Sequence, residues 1–114
     1  MPFTEIELKL IANTVGKMCG RRSPPHFRDQ VRISHYVKDR SVEVYEERPR
    51  WKDKNKWTST GVAKFVYVKT TQKWKLYWVR ADLRWHLYQP LAESRSIEKL
   101  VTEVDKDPHG AFFG

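Results

Sequence analysis

The chain has 114 residues, a single cysteine and a net charge of +8, from 22 Lys and Arg against 14 Asp and Glu. That length suits one domain spanning residues 1–114 with its own core, and the lone Cys19 excludes an intrachain disulfide and fits a reducing compartment. No stretch reaches the roughly 18 consecutive apolar residues of a membrane span.

The start, Met1 to Glu5, has neither the basic region nor the apolar run of a signal peptide. A cytoplasmic protein with no membrane role is therefore expected. The surplus of cations favours anionic partners, with nucleic acid, acidic proteins and anionic headgroups all qualifying by charge.

Thr4 and Glu7 stand at capping-box spacing, with Phe3 and Leu8 at the positions of a hydrophobic staple. Leu8, Ile11, Val15 and Met18 follow as one apolar stripe. The spacing predicts a helix over about Glu5 to Cys19, closed by Gly20 at C′. Arg21 and Arg22 then complement the negative end of its dipole, and Pro24-Pro25 forbids continuation. Arg28 has Asp29 or a carboxylate on the second strand as a partner.

Val31, Ile33, His35 and Val37 alternate with polar residues. Lys38 to Ser41 reads as a turn, and Val42 and Val44 resume the alternation, which gives a half-buried hairpin. The polar stretch Arg48 to Thr60 has no clear period and reads as a long loop. Three more strands are predicted around Val62–Lys69, Lys73–Arg80 and Leu83–Tyr88, with short links that force antiparallel pairing.

Taken as a two-residue turn, Ala81-Asp82 sets Trp78 opposite Trp85 and Leu76 opposite Leu87. With Trp74, Phe65 and Tyr67 these form one face, the expected core. The second face then carries Lys64, Val66, Val68, Lys75, Tyr77, Val79, Arg84, His86 and Tyr88. Pro90 ends the sheet. Ser94 or Ser96 caps a second helix with the stripe Ile97, Leu100, Val101 and Val104, stopped by Pro108 and Gly110. Phe112 and Phe113 are expected to dock on the core. The result is an α+β domain: a five-stranded antiparallel meander flanked by an N-terminal and a C-terminal helix.

Four blocks carry a resemblance: Arg22-Ser23-Pro24-Pro25-His26-Phe27-Arg28-Asp29-Gln30, Arg48-Pro49-Arg50-Trp51, Tyr77 through His86, and Asp107 through Gly114. Together they resemble a small bacterial family known as a domain of unknown function. The resemblance covers nearly the whole chain and implies a bacterial stand-alone domain, with no established activity, cofactor or catalytic residue to carry over. It also implies a cysteine where this chain has Ala111, so no function here depends on a thiol at that position.

Arg48, Arg50, Lys52, Lys54 and Lys56 occupy every second position, against Asp53 alone. In an extended segment these cations project to one side and Trp51 and Trp57 to the other. Cations that track phosphates beside rings that stack on bases suit single-stranded nucleic acid. The structural alternative is a solvated loop whose tryptophans fold back onto the sheet. Lys75, Tyr77, Arg84 and His86 on the second face extend the nucleic-acid reading, as in sheet-based RNA binders. Cover by a helix, or by a second copy in a homodimer, is the competing account.

A third reading is a metal-dependent nuclease using Glu43, Glu46, Glu47 and Lys64. It lacks a clear second acid near Lys64. His26, His35, His86 and His109 are scattered without metal-ligand spacing. His35 is expected to be hydrogen-bonded inside, and Cys19 to be a packing residue. No phosphate loop or nucleophile elbow is present. No cofactor, metal site or catalytic residue is assigned.

Overall fold

A computed structural model describes residues 3–27, 29–53 and 55–113. The element order is α1 (Glu5–Ile11), a π-helical turn (Ala12–Gly16), α2 (Lys17–Arg21), β1 (Arg32–Lys38), β2 (Ser41–Pro49), β3 (Trp57–Val68), β4 (Lys73–Val79), β5 (Trp85–Leu87), β6 (Glu93–Ser94) and α3 (Ile97–Lys106). Strands β1 to β5 form an antiparallel meander in chain order, and β6 pairs with the other end of β4. The fold is α+β, as expected. Pro90 does not end the sheet, because the chain returns after it to add β6.

The first helix starts at its capping box. Glu7 N–H donates to Thr4 Oγ1 at 3.2 Å, and Thr4 N–H donates to Glu7 Oε1 at 2.9 Å. Helical backbone then continues through the π turn to Arg21, so Gly20 lies inside α2 rather than at C′. The staple does not form. Leu8 is exposed, and Phe3 instead stacks on Trp74 at a ring separation of 5.4 Å. Arg21 and Arg22 both donate to Asp105 on α3, tying the two helical segments together. The Arg28 pairing falls outside the described residues. Ser96, not Ser94, caps α3 by accepting Lys99 N–H.

The helices cover one face of the sheet. Ile11, Val15 and Met18 from the first, and Leu100, Val101 and Val104 from the last, pack on Val42, Val44, Phe65 and Leu76. Phe112 is buried in the same core and Phe113 packs against it, as expected of the closing segment. A bulge on β3 matters for the opposite face. Val44 pairs with Ala63 but Tyr45 with Gly61, so Val62 is an extra residue. Val62 and Ala63 both enter the core, and Gly61 is handed to the other side.

Two strand assignments change. The long loop shrinks to residues 50–56, because β2 runs on to Pro49 and β3 starts at Trp57. The β4–β5 turn holds three residues, not two. Arg80 N–H donates to Arg84 O, Leu83 N–H donates to Arg80 O, and Leu83 sits at φ 63°. This is the three-residue hairpin with a left-handed third position. One extra residue flips every side chain of β5. Trp78 therefore pairs with His86, while Val79 pairs with Trp85 and Tyr77 with Leu87. Trp85 and Leu87 leave the core face, and His86 and Tyr88 move to it. Tyr88 is almost fully buried.

Candidate nucleic-acid interface

The face away from the helices carries Arg32, Ser34 and Tyr36 of β1, Glu43, Tyr45 and Glu47 of β2, Trp57, Ser59, Gly61 and Lys64 of β3, Lys75, Tyr77 and Val79 of β4, and Trp85 and Leu87 of β5. Among the described residues the helices pack only on the opposite side. Most of these side chains are half-buried, whereas Tyr36 and Ser59 are exposed and Glu47 is buried.

Three rings form a row across this face. Tyr36 meets Tyr45 edge-on at 5.9 Å, and Tyr45 meets Trp85 edge-on at 6.3 Å. Gly61 makes the row possible. A Cβ there would sit 2.8 Å from Val79 Cγ2 and 3.2 Å from Trp85 Cη2. The bulge thus places the one side-chain-free residue under the indole.

Glu47 organises the neighbouring part of the face. Its carboxylate accepts from Arg32 Nε at 3.0 Å, Ser34 Oγ at 2.6 Å, Tyr36 Oη at 2.7 Å and, more distantly, Ser59 Oγ at 3.4 Å. Burial pushes its pKa up, but the bonds from Ser34, Tyr36 and Arg32 outweigh this and hold it below the ordinary carboxylate range. Reciprocally, the bond to Glu47, with burial, raises the Tyr36 phenol, which stays protonated as a donor. The Arg32 guanidinium also lies over the Trp57 ring at 4.0 Å. Trp57 is therefore a half-buried strand residue stacked on a protein cation.

The charged loop keeps only part of its expected form. Arg48 is on β2, in register with the helix-covered side, and donates to Glu46 Oε1 at 2.7 Å. It leaves the candidate set. Residues 50–56 fold back instead of extending, since Arg50 N–H donates to Lys56 O and Lys56 N–H to Asp53 O. The described cations Arg48, Arg50, Lys52 and Lys56 therefore do not follow one extended strand. Arg50, Lys52 and Lys56 remain exposed without an ion pair among the described residues, and Lys54 lies outside them. Trp51 is 84% exposed, with Lys52 Nζ 5.3 Å from its ring.

Of the second-face candidates, Lys75 and Tyr77 stand where the alternation put them. Arg84 is exposed in the β4–β5 turn, and His86 lies on the helix side of the sheet, bonded to Asp82. The reason is the third residue of that turn, which the sequence does not announce. The same residue brings Trp85 onto the open face, where it was not expected. Tyr36, Tyr45 and Glu47 also escape the sequence reading as a group, although their alternation with buried Val42 and Val44 is a signal that could have found them.

The carboxylates of the nuclease reading are occupied separately. Glu47 is held by Arg32, whereas Lys64 pairs with Glu43 at 3.8 Å. Among the described residues no group of three or more His, Cys, Asp and Glu side chains is placed to hold a metal ion. Cys19 is buried, and burial pushes its thiol up to about 11. His35 makes no ring hydrogen bond among the described residues, contrary to expectation. Half-buried against Gly16, it has its pKa lowered by burial. No helix among the described residues is long and apolar enough to cross a membrane.

No curated protein and no solved structure matches this chain. A family model does match, over residues 3–114, and on that match the chain belongs to the family described as Domain of unknown function (DUF3024).

Proposed function

We propose that this protein is a cytoplasmic single-stranded nucleic-acid binding module. Strand binding would use the open sheet face and the 50–56 loop at one end of it. The observation that carries this reading is a row of rings, Tyr36, Tyr45 and Trp85, on a face left uncovered by the helices, next to a loop with an exposed Trp51 and cations that make no ion pair among the described residues. The two parts are complementary. The face itself is nearly balanced, because Glu47 and Glu43 answer Arg32 and Lys64. Arg50, Lys52 and Lys56 supply the surplus that draws phosphates, while rings stack on bases of any identity.

Fluorescence anisotropy of labelled single-stranded RNA and DNA, and of a duplex, at about 50 and 200 mM salt tests this. Three loop phosphate contacts give a slope of log affinity on log salt near −2 for single strands. Trp51→Ala is expected to cost about 1–3 kcal/mol of binding. No detectable binding to any of these probes at the lower salt refutes the proposal.

A second reading, a homodimer through the same face, is favoured by the half-buried apolar cluster Val79, Trp85 and Leu87. Sedimentation at micromolar concentration separates the two, since a monomer leaves the face free for strands.

A further inference from the structure

On the helix side of the sheet, a cleft of about 420 Å³ opens between the β4–β5 hairpin and the closing segment 109–111. It opens on the other side of the sheet from the ring row and shares only Leu87 with the open face. Its walls are Trp78 and Tyr88, and its polar side chains include Arg80, His86 and His109. The volume lies in the range of small-molecule sites.

Three features make this cleft a built site. Its far rim is pinned, because the Asp107 carboxylate accepts both Phe112 N–H at 3.0 Å and Phe113 N–H at 2.8 Å. Asp107 and Gly110 take left-handed backbone at φ 45° and 66°, which folds the chain back over the cleft. Its aromatic wall is also fixed, since Tyr88 packs on Phe112 and its hydroxyl donates to Glu103 Oε2 at 2.7 Å. Finally, one histidine is oriented. His86 Nε2 bonds Asp82 Oδ2 at 2.8 Å, while Asp82 Oδ1 accepts Arg84 N–H at 3.0 Å. The other His86 nitrogen, Nδ1, has no protein partner among the described residues.

The charge balance selects the ligand. The nearby carboxylates are each engaged, Asp82 by His86 and the Arg84 N–H, Asp107 by the Phe112 and Phe113 N–H groups, and Glu103 by the Tyr88 hydroxyl. Arg80 makes no ion pair within contact distance among the described residues, although its charge helps lower the Asp82 pKa, and its guanidinium lies over the Trp78 ring at 5.7 Å from the centroid. A planar ring beside an unpaired guanidinium suits a ligand that is itself a planar ring carrying an oxyanion. Arg80 and His109 offer more donors than the two oxygens of a carboxylate use, whereas a phosphate presents three.

We propose that this cleft binds a nucleoside monophosphate, its base stacked on Trp78 and its phosphate held by Arg80 with His109. The same chemistry is carried by a free mononucleotide and by the 5′-phosphorylated end of a strand.

The test follows the indole N–H resonances of the five tryptophans by NMR as adenosine or cytidine 5′-monophosphate is added. The expected result is saturable movement of the Trp78 signal by about 10 mM, with adenosine alone or inorganic phosphate alone at least about tenfold weaker. Arg80→Gln, at an exposed position that leaves folding intact, is expected to weaken the nucleotide about tenfold or more. His109→Gln, also at an exposed position, is expected to give a smaller loss. A 5′-phosphorylated dinucleotide matching the free nucleotide assigns the site to strand ends, and one that fails assigns it to the free molecule. A Trp78 signal that stays still, a response confined to Trp51 or Trp85, or an unchanged affinity in Arg80→Gln overturns the proposal. Failure of the cleft leaves the open face to its own anisotropy measurement.

Discussion

Glu47→Ala is the sharpest single perturbation of the open face. The carboxylate is 8% exposed and takes close bonds from three side chains of β1, with Arg32 Nε at 3.0 Å. Truncation strands those donors and leaves a gap. A hydrogen bond to a charged group contributes about 1.5–3 kcal/mol, but Tyr36 and Arg32 are about half exposed and recover much of that from water, so the net loss is about 2–4 kcal/mol.

The pH dependence supplies a second measure of the same residue. Its folded pKa is depressed, so its stabilisation is fully present above the unfolded value of about 4.3 and is lost as pH falls through the folded value. Urea unfolding of wild type, Glu47→Ala and Glu47→Gln between neutral pH and about pH 3 measures both effects. Wild type is expected to lose stability across the acid range more steeply than Glu47→Gln, which has no proton to gain. An alanine variant within about 0.5 kcal/mol of wild type at neutral pH, with an unchanged acid limb, refutes the view that Glu47 organises this face.

Two further outcomes are expected. Gly61→Ala places a Cβ 2.8 Å from Val79 Cγ2, so Trp85 or the strand must shift. A loss of about 1–3 kcal/mol in thermal or urea unfolding, with a displaced Trp85 indole resonance, checks this, and an unperturbed Trp85 signal counts against the ring row. The Cys19 thiol, 4% exposed and pushed up to about 11, should resist a thiol-specific reagent at neutral pH until the chain is unfolded. Rapid labelling of the native protein contradicts its placement in the core.

The helices were the most legible part of the chain. Thr4 with Glu7, and the stripe Ile97, Leu100, Val101 and Val104, act within one or two turns, so their spacing specifies them without knowledge of the rest, although the choice between Ser94 and Ser96 as cap was left to the structure. The alternation of β3 and β4 was equally readable and correctly put Lys75 and Tyr77 on the open face. The candidate interface was less so. Arg48 and Trp57 read as loop residues because Thr58, Ser59 and Thr60 lack an apolar period. Both faces of that end of the hairpin are polar, so burial leaves no mark on the sequence.

By itself, the sequence determined what depends on near neighbours: the Thr4–Glu7 capping box, the apolar stripes from Ile11 and from Ile97, the antiparallel order of the strands and the excess of positive charge. The tertiary structure alone decided what depends on distant pairings. One extra residue in the β4–β5 turn and one in the β3 bulge reassigned Trp85, His86 and Gly61 between faces, because side chains alternate with a period of two and a single-residue slip inverts them all. Both helices packing on the same side left the other face open, and Glu47 gained its role only when β1 was laid beside it. That outcome lies in the packing of segments far apart in the chain, which no local pattern records.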